Sequence, residues 1–169
     1  MRLVSIQDGK GSAMTRKSSS LLALLCVGVL LVSCSKELKP DRKGVFIASG
    51  GKLMELKTVS IDSEFTPEGF AITYFSTEPP KVKLGDFYFI LYGDYQVSDL
   101  KGYVQKGNRW EIDTSKTGLN TTIETIGMKG EPNMQKCRFT KPLDLGTYAL
   151  EAQQNGATLY FAFTVSSGY

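Results

Sequence analysis

The sequence contains no histidine, and this absence removes several classes of active site at once. Without an imidazole there is no Ser-His-Asp or Cys-His nucleophile system, no histidine-ligated zinc and no ordinary proton shuttle near neutral pH. The glycine-rich phosphate-binding motifs, Cys-x-x-Cys pairs and EF-hand spacings are also missing from the sequence. We therefore predict a protein that is not an enzyme and that holds no metal or dissociable cofactor.

An excess of charge of one sign is missing from most of the chain. Residues 1–33 hold four basic residues and one acidic residue, which accounts for the whole net charge of +3. Residues 34–169 carry 16 charged residues of each sign. Because binding to a phosphate backbone depends on clustered Lys and Arg side chains, nucleic acid is not an expected partner.

Cysteine is scarce, with Cys26, Cys34 and Cys137 as its three positions. Cys26 falls within an apolar leader and Cys34 directly after it, so Cys137 is left alone in the rest of the chain. No intramolecular disulfide is therefore expected. Charged residues flank Cys137 on both sides, while Phe139 shares its face of an extended strand. The pattern predicts a buried strand cysteine, which is the common fate of an unpaired thiol.

Residues 14–33 have the layout of a secretory signal. Two basic residues precede a 12-residue apolar run over residues 21–32, and a serine follows that run. A membrane-spanning helix needs about 20 apolar residues, so this run is too short for a permanent anchor. The last four residues of the segment resemble the lipobox of bacterial lipoproteins and read Leu31-Val32-Ser33-Cys34.

This resemblance implies that residues 1–33 are removed and that Cys34 becomes a lipidated N-terminus. The covalent lipid would be the only attached group, and its two or more acyl chains are enough for stable anchoring in a membrane. An aspartate after the cysteine tends to retain such proteins in the inner membrane, whereas Ser35 stands here. We therefore predict an outer-membrane lipoprotein that faces the periplasm. Residues 1–13 lack signal character and are interpreted as an extension ahead of a start at Met14.

Residues 34–43 follow the leader as a short charged segment. Six of the nine residues after Cys34 are charged, and such a composition buries too little apolar surface to fold. We predict that residues 34–43 act as a tether and that the folded domain extends over residues 44–169.

From residue 44 onward, short apolar segments alternate with Gly, Pro, Asn and Asp, which is typical of an all-β protein. Gly50-Gly51 and Asn155-Gly156 suit tight two-residue hairpin turns. Two packed antiparallel sheets would bury such strands, so the predicted fold is an antiparallel β-sandwich. About eight or nine strands are expected from ten candidate segments, which are residues 44–49, 52–61, 70–75, 86–92, 102–105, 109–113, 121–126, 134–139, 147–153 and 157–165.

One constellation is more specific to a fold, and it reads Asp144-Leu145-Gly146-Thr147-Tyr148. The spacing of Asp144, Gly146 and Tyr148 resembles the tyrosine corner of immunoglobulin-like domains. The resemblance implies that Tyr148 begins the penultimate strand and that its hydroxyl bonds to the backbone a few residues upstream. Leu150 stands where antibody domains carry a cysteine, so the inter-sheet disulfide is not expected. Another sandwich or a small barrel remains the alternative fold.

The strand predicted over residues 86–92 is apolar on both faces. Phe87, Phe89 and Leu91 share one face, whereas Tyr88, Ile90 and Tyr92 share the other. If the phenylalanine face is core, the tyrosine face needs a second cover, which is either a partner or another part of the same chain. Tyr88, Ile90 and Tyr92 are therefore the candidate binding face.

Two functions are compatible with these features. The first is a non-catalytic module that binds another envelope protein or supports an envelope assembly. The alternative is a module that binds or degrades envelope carbohydrate, for which Glu111 and Asp113 could supply a pair of carboxylates on one strand face. A polar strand edge carries such pairs routinely, so the interaction module is the preferred hypothesis.

Overall fold

The computed structural model describes residues 37–85, 87–116 and 123–168. The predicted signal peptide and the predicted lipidation site, Cys34, lie outside these residues. Within them most residues lie in strands, and one 3-10 turn is formed at Thr114–Lys116. None of the described residues forms a helix with the length and apolar character needed to cross a membrane.

The described residues form thirteen strands, more than the eight or nine expected. They are β1 (Gly44–Ser49), β2 (Lys52–Leu56), β3 (Thr58–Val59), β4 (Asp62–Phe65), β5 (Ala71–Phe75), β6 (Lys81–Lys83), β7 (Phe87–Tyr92), β8 (Gln96–Lys106), β9 (Arg109–Ile112), β10 (Ile123–Met128), β11 (Glu131–Phe139), β12 (Gly146–Gln154) and β13 (Ala157–Ser166). The strands that the prediction lacked are short or polar, such as β4 and β6.

The strands pair into two sheets. One sheet has the order β10-β11-β7-β1-β2, and all of its pairs are antiparallel. The other has the order β3-β13-β12-β8-β9-β5-β4, and the short strand β6 joins it in parallel beside β13. The predicted all-β, antiparallel, sandwich-like architecture is thus confirmed.

The main core lies between the two sheets, where alternate residues of each strand point inward. Phe89 and Leu91 of β7 are fully buried, and the ring centroid of Phe89 lies 5.2 Å from that of Phe163 on the opposite sheet. Cys137 is buried in the same cluster beside Phe139, as the sequence predicted. The phenylalanine face of β7 is therefore core.

A second apolar cluster lies on the outward face of the larger sheet. Phe75 is fully buried there, and its ring stacks on Trp110 at a centroid distance of 5.5 Å. Val59, in the long connection between β1 and β7, packs into the same cluster as Tyr103. This connection supplies both edges of the larger sheet, with β3 beside β13 and the β4–β5 hairpin beside β9, and its residues Val59, Ile61 and Phe75 belong to the cluster.

Two glycine-containing turns adopt the backbone that the sequence predicted. Gly50 and Gly51 both have positive φ, at 55° and 75°, and they join β1 to β2. Asn155 and Gly156 have φ values of 50° and 79° and join β12 to β13. Two successive positive φ values are what a tight hairpin turn between twisted strands requires.

The charged segment after the leader is packed onto the domain in part. Leu38 contacts an apolar cluster on the outward face of the five-stranded sheet, and Pro40 is buried. The Lys39 amine lies 2.9 Å from the carboxylate of Glu131. The compact unit accordingly begins at Leu38 and not at residue 44, because the two apolar residues among the charges find a surface to cover.

Candidate binding cleft

The three residues of the predicted binding face lie on the outward face of the five-stranded sheet. Ile90 is fully buried, so it offers no surface to a partner, and its place in the predicted face is wrong. Tyr88 and Tyr92 are half-buried at either side of it. The apolar side chains that surround them come from the same chain, and they are Leu38, Phe46, Ala48, Leu53, Met128 and Met134.

A cleft of about 810 Å³ opens beside Tyr88, at one end of the sandwich. It lies between the connection that leads into β7 and the connection between β11 and β12. Its volume falls within the range of about 300–1,000 Å³ that ligand pockets usually have. The apolar part of its lining consists of Leu84, Phe87, Phe139, Pro142, Leu143 and Leu145. Leu84 and Leu145 are 44% and 50% exposed, so that two aliphatic side chains stand at the rim.

The described residues that line the cleft include charged side chains. Among these, Arg138 and Lys141 are cations, and Asp144 is a carboxylate. The guanidinium of Arg138 lies 5.8 Å from the ring centroid of Tyr88, and the amine of Lys136 lies 3.8 Å from it. Cations over an aromatic face are attracted to its electron density. The cleft thus combines apolar walls with a cationic edge.

The tyrosine-corner residues hold one wall of this cleft. The Tyr148 hydroxyl donates a hydrogen bond to the carbonyl oxygen of Asp144 at 3.0 Å, which is the bond expected from the sequence. Burial raises the pKa of Tyr148, so the hydroxyl keeps its proton for this bond. The Lys116 amine donates to the carbonyl of Leu145 at 3.3 Å and passes Gly146, where a Cβ would come within 2.5 Å of it. The wall at residues 144–146 is therefore fixed by side chains from outside it.

A smaller and more polar groove of about 340 Å³ lies at the opposite end of the sandwich. It is formed by the loop between β7 and β8, the beginning of β11 and the turn between β12 and β13. Its side chains are mostly carboxamides, joined by Asp94 and Tyr95, and they are Gln96, Asn133, Gln135, Gln153 and Asn155. Carboxamides both donate and accept hydrogen bonds, so this groove suits a neutral polar ligand.

The carboxylate pair proposed for glycoside chemistry is engaged in local contacts. Glu111 is buried and lies 2.8 Å from the amine of Lys106 and 2.8 Å from the guanidinium of Arg109. The Lys106 contact, followed by that of Arg109, lowers the pKa of Glu111. Asp113 accepts hydrogen bonds from the backbone and side chain of Ser115 at the 3-10 turn. Each carboxylate thus has a structural partner on its own strand or turn.

The described residues contain no group of three or more Cys, Asp or Glu side chains that could hold a metal ion. Glu64 lies on β4 with its carboxylate 2.7 Å from the guanidinium of Arg109. The thiol of Cys137 is fully buried, and burial raises its pKa. Its sulfur lies 3.4 Å from the Thr125 hydroxyl, so the thiol has a structural partner.

Sequence reasoning missed most of the cleft. Among the residues of the predicted binding face and the tyrosine corner, Tyr88 and Asp144 are the two that line the cleft. The rim residues Leu84 and Leu145 and the cation Lys141 lie in connections, where no periodic pattern indicates a direction. The sequence signal that could have indicated these cleft residues was a leucine in a loop beside proline, glycine or charged residues.

Comparison with known proteins adds no relative to this description. No protein-family model matches the chain, and no curated protein or solved structure is significantly similar to it. The function is therefore inferred from the residues themselves.

Proposed function

We propose that the protein is a lipid-anchored, periplasm-facing module of the outer membrane that binds another envelope protein through the cleft beside Tyr88. In this role the domain is not an enzyme, and its one attached group is the lipid on Cys34. The anchor holds the domain at the membrane surface, and the cleft supplies the contact. The observation that carries the proposal is the cleft itself, with exposed leucines at its rim and the cations Arg138 and Lys141 in its lining.

The proposed anchor is supported by the sequence before Cys34. A positive region, a 12-residue apolar run and a lipobox-like ending agree with one another. Cys34→Ala should abolish incorporation of labelled fatty acid and prevent cleavage of the leader, whereas Cys26→Ala should leave both intact. Labelled fatty acid on the Cys34→Ala protein would contradict the proposed anchor.

We further propose that the domain is immunoglobulin-like. The order β1-β7-β11-β10 facing β13-β12-β8-β9 matches strands A-B-E-D facing G-F-C-C′ of that fold. In this assignment Tyr148 lies in strand F, where the tyrosine corner belongs. The segment between β1 and β7 is then an insertion between strands A and B. An experimental structure with a different strand order would contradict the assignment.

The cleft suits a protein segment better than a small polar ligand. Its lining includes six apolar residues, and aromatic or aliphatic anchors in such pockets dominate the binding energy of protein interfaces. Arg138 and Lys141 at its edge favour a partner with an acidic residue beside the apolar anchor. The hydrogen bond between Tyr148 and Asp144 fixes one wall, which reduces the entropy lost on binding.

The proposal is tested by chemical cross-linking in intact cells that produce the full chain. Leu145→Glu places a carboxylate at the rim of the cleft and should remove the cross-linked product. Ile126→Glu is the matched control, because Ile126 is 52% exposed and does not line the cleft. Loss of the product in both variants, or in neither, would contradict a partner site at the cleft.

The carboxamide groove favours carbohydrate binding as a second candidate function. Asn and Gln side chains pair well with sugar hydroxyls because each amide offers both a donor and an acceptor. Replacing Asn133 and Gln135 by Ala should then weaken retention of the protein on purified envelope polysaccharide. The matched control is Gln105→Ala on β8, outside the groove. If the polysaccharide retains the wild type, the variant with Asn133 and Gln135 replaced and the Gln105→Ala variant equally, the groove does not bind carbohydrate.

A further inference from the structure

The chain enters the folded domain at one end of the five-stranded sheet. Gly44, the first residue of β1, is paired with Tyr92, the last residue of β7, and Tyr92 is also paired with Met134 of β11. We call this end of the sheet the Tyr92 end. The cleft lies at the other end, because its lining includes Tyr88 near the start of β7. Residues 38–43 therefore join the sheet at the end that is remote from the cleft.

Apolar residues attach the segment 38–43 to the outward face of the five-stranded sheet. Leu38 is half-buried against the cluster that contains Met128 and Met134, and Pro40 is buried. Met128 and Met134 stand on either side of the turn between β10 and β11, which lies at the Tyr92 end. The segment is thus packed onto the domain at the end where it enters.

Two ion pairs hold the same segment on both sides. The Lys39 amine lies 2.9 Å from the carboxylate of Glu131 at the beginning of β11. The Arg42 guanidinium is hydrogen-bonded to the carboxylate of Glu55 on β2. In the sheet, β7 and β1 lie between β11 and β2, so the segment crosses the sheet from one of these strands toward the other. Each ion pair is exposed and weak alone, but together with the apolar contacts they fix the path of the segment.

The docked segment 38–43 leaves only a short tether to the predicted lipidation site. Cys34 precedes Leu38 by four residues, which reach at most about 14 Å when fully extended. The five residue steps of β7 from Tyr92 back to Phe87 cover about 17 Å toward the cleft. A lipid on Cys34 would therefore hold the Tyr92 end at the bilayer and keep the cleft end away from it. If the segment were free, nine residues with a reach of about 30 Å would let the domain turn over.

We propose that the domain stands on the membrane with its Tyr92 end toward the bilayer and its cleft opening away from it, because residues 38–43 shorten the tether. The inference rests on the proposed lipid anchor and on the proposed role of the cleft, and it names the side from which a partner comes. The partner would be a protein that reaches the cleft from the periplasm and not one embedded in the bilayer. The carboxamide groove lies at the Tyr92 end, so this orientation favours the cleft over the groove as the site for such a partner.

The orientation is tested by energy transfer from the domain to labelled lipid. The full chain, produced in cells and purified with its lipid, is added to preformed vesicles of phosphatidylethanolamine and phosphatidylglycerol that carry acceptor-labelled headgroups. The donor is attached at Lys129→Cys in the turn between β10 and β11, at the Tyr92 end, or at Lys52→Cys beside the turn between β1 and β2, at the cleft end. Both lysines are exposed, so the two variants are matched. Cys137 is fully buried, and the chain without engineered cysteines gives the background labelling.

Transfer from position 129 should be severalfold more efficient than transfer from position 52, because transfer falls steeply with distance from the headgroups. Equal transfer from the two positions would mean that the domain lies on its side or turns freely on its tether. More efficient transfer from position 52 would mean that the cleft end faces the bilayer. Either of these results would overturn the inference.

Two further variants test whether the segment 38–43 sets the orientation. A Gly-Ser insertion of about 12 residues between Lys36 and Glu37 adds roughly 20 Å of reach and leaves the segment itself unchanged. The double replacement Leu38→Asp and Lys39→Glu removes the apolar contact and the ion pair to β11. Each variant should abolish most of the difference between positions 129 and 52. An undiminished difference in the insertion variant would contradict the role of the short tether, whether or not the double variant folds.

The outcomes separate this inference from the proposed function on which it rests. If mass spectrometry finds no lipid on Cys34, or if the full chain does not stay on the vesicles, the proposed anchor fails and the inference fails with it. If the chain carries the lipid but transfer from positions 129 and 52 is equal, the inference alone is wrong and the anchor stands. The cross-linking test with Leu145→Glu examines the cleft independently of the orientation.

Discussion

The two outward faces of the sandwich are covered in different ways. On the larger sheet, Val59, Ile61 and Phe75 from the long connection between β1 and β7 pack into the cluster, and Phe75 and Tyr103 are 0% and 3% exposed. On the five-stranded sheet, Leu38 lies over a cluster whose edges are the half-buried Tyr88 and Tyr92. One face has become a second core, whereas the other keeps partly accessible aromatic edges.

This difference teaches that alternation along a strand identifies two faces but not their covers. The alternation along β7 correctly placed Phe89 and Ile90 on opposite faces of the sheet, yet both residues are fully buried. Whether an outward face is covered depends on which other segments pack against it, and for β7 one such residue is Leu38, which is far from β7 in sequence. The predictions below test the two faces against each other.

The largest difference is expected between Phe75→Ala and Tyr88→Ala. Phe75 is fully buried and stacks on Trp110, so its truncation should lower the free energy of unfolding by about 3–5 kcal/mol. Tyr88 is half-buried on the other face, and its truncation should cost about 1 kcal/mol. Urea denaturation of the two variants measures both values. Equal losses would mean that the two faces are equally covered.

Alkaline pH should lower the stability of the protein through Tyr103, which lies on the covered face of the larger sheet. Burial, followed by the nearby Tyr160 and by acidic groups, raises the pKa of Tyr103 from 10 to about 12. The unfolded chain loses this proton first, so stability should fall between pH 10 and about pH 12, by roughly 2 to 3 kcal/mol in total. Tyr103→Phe should remove this part of the decline. An identical decline in the wild type and the Tyr103→Phe variant would contradict the burial of this hydroxyl.

The tyrosine corner gives a smaller effect. Tyr148→Phe removes the bond to the Asp144 carbonyl and should cost about 1 kcal/mol in unfolding free energy. Tyr88→Phe is the matched control on the outward face, and it should change stability by less. If Tyr148→Phe unfolds at the same urea concentration as the wild type, the corner does not contribute to stability.

The smallest effect is expected at the start of the domain. Leu38 is half-buried against the outward face of the five-stranded sheet, so Leu38→Ala should cost less than about 1 kcal/mol. The variant should also increase hydrogen exchange at the amides of β1, which lies under this cover. Unchanged exchange at β1 would show that the segment around Leu38 does not protect the face.

Much of the β-architecture could be predicted because local signals agree with it. β1 and the two final strands were expected within one or two residues, since Gly-Gly and Asn-Gly turns mark their ends. The first half of β8 was missed because a register shift opposite Glu151 and Ala152 breaks its alternation, so that Val97 and Leu100 both pack into the core. A period of two cannot be recognised across such a bulge.

Other errors have equally local causes. The strand expected over residues 134–139 begins earlier, at Glu131. The chain turns at residues 129–130, and Pro132 lies within β11 where the pairing with β10 is irregular, as is usual for proline in a strand. The cleft was not foreseen because its two sides, near residues 84–88 and 138–145, meet only in the folded chain. Of its residues, sequence reasoning reached Tyr88 through a strand pattern and Asp144 through the tyrosine corner.

Photoreactive cross-linking at single positions of the full chain in intact cells distinguishes most directly between the cleft and the outward face. The photoreactive residue would stand in turn at Leu145 in the cleft, at Tyr92 on the outward face and at Ile126 as a control. We expect a protein adduct from position 145, with little or none from positions 92 and 126. An adduct from position 92 together with none from position 145 would contradict the role of the cleft and return the binding surface to the tyrosine face.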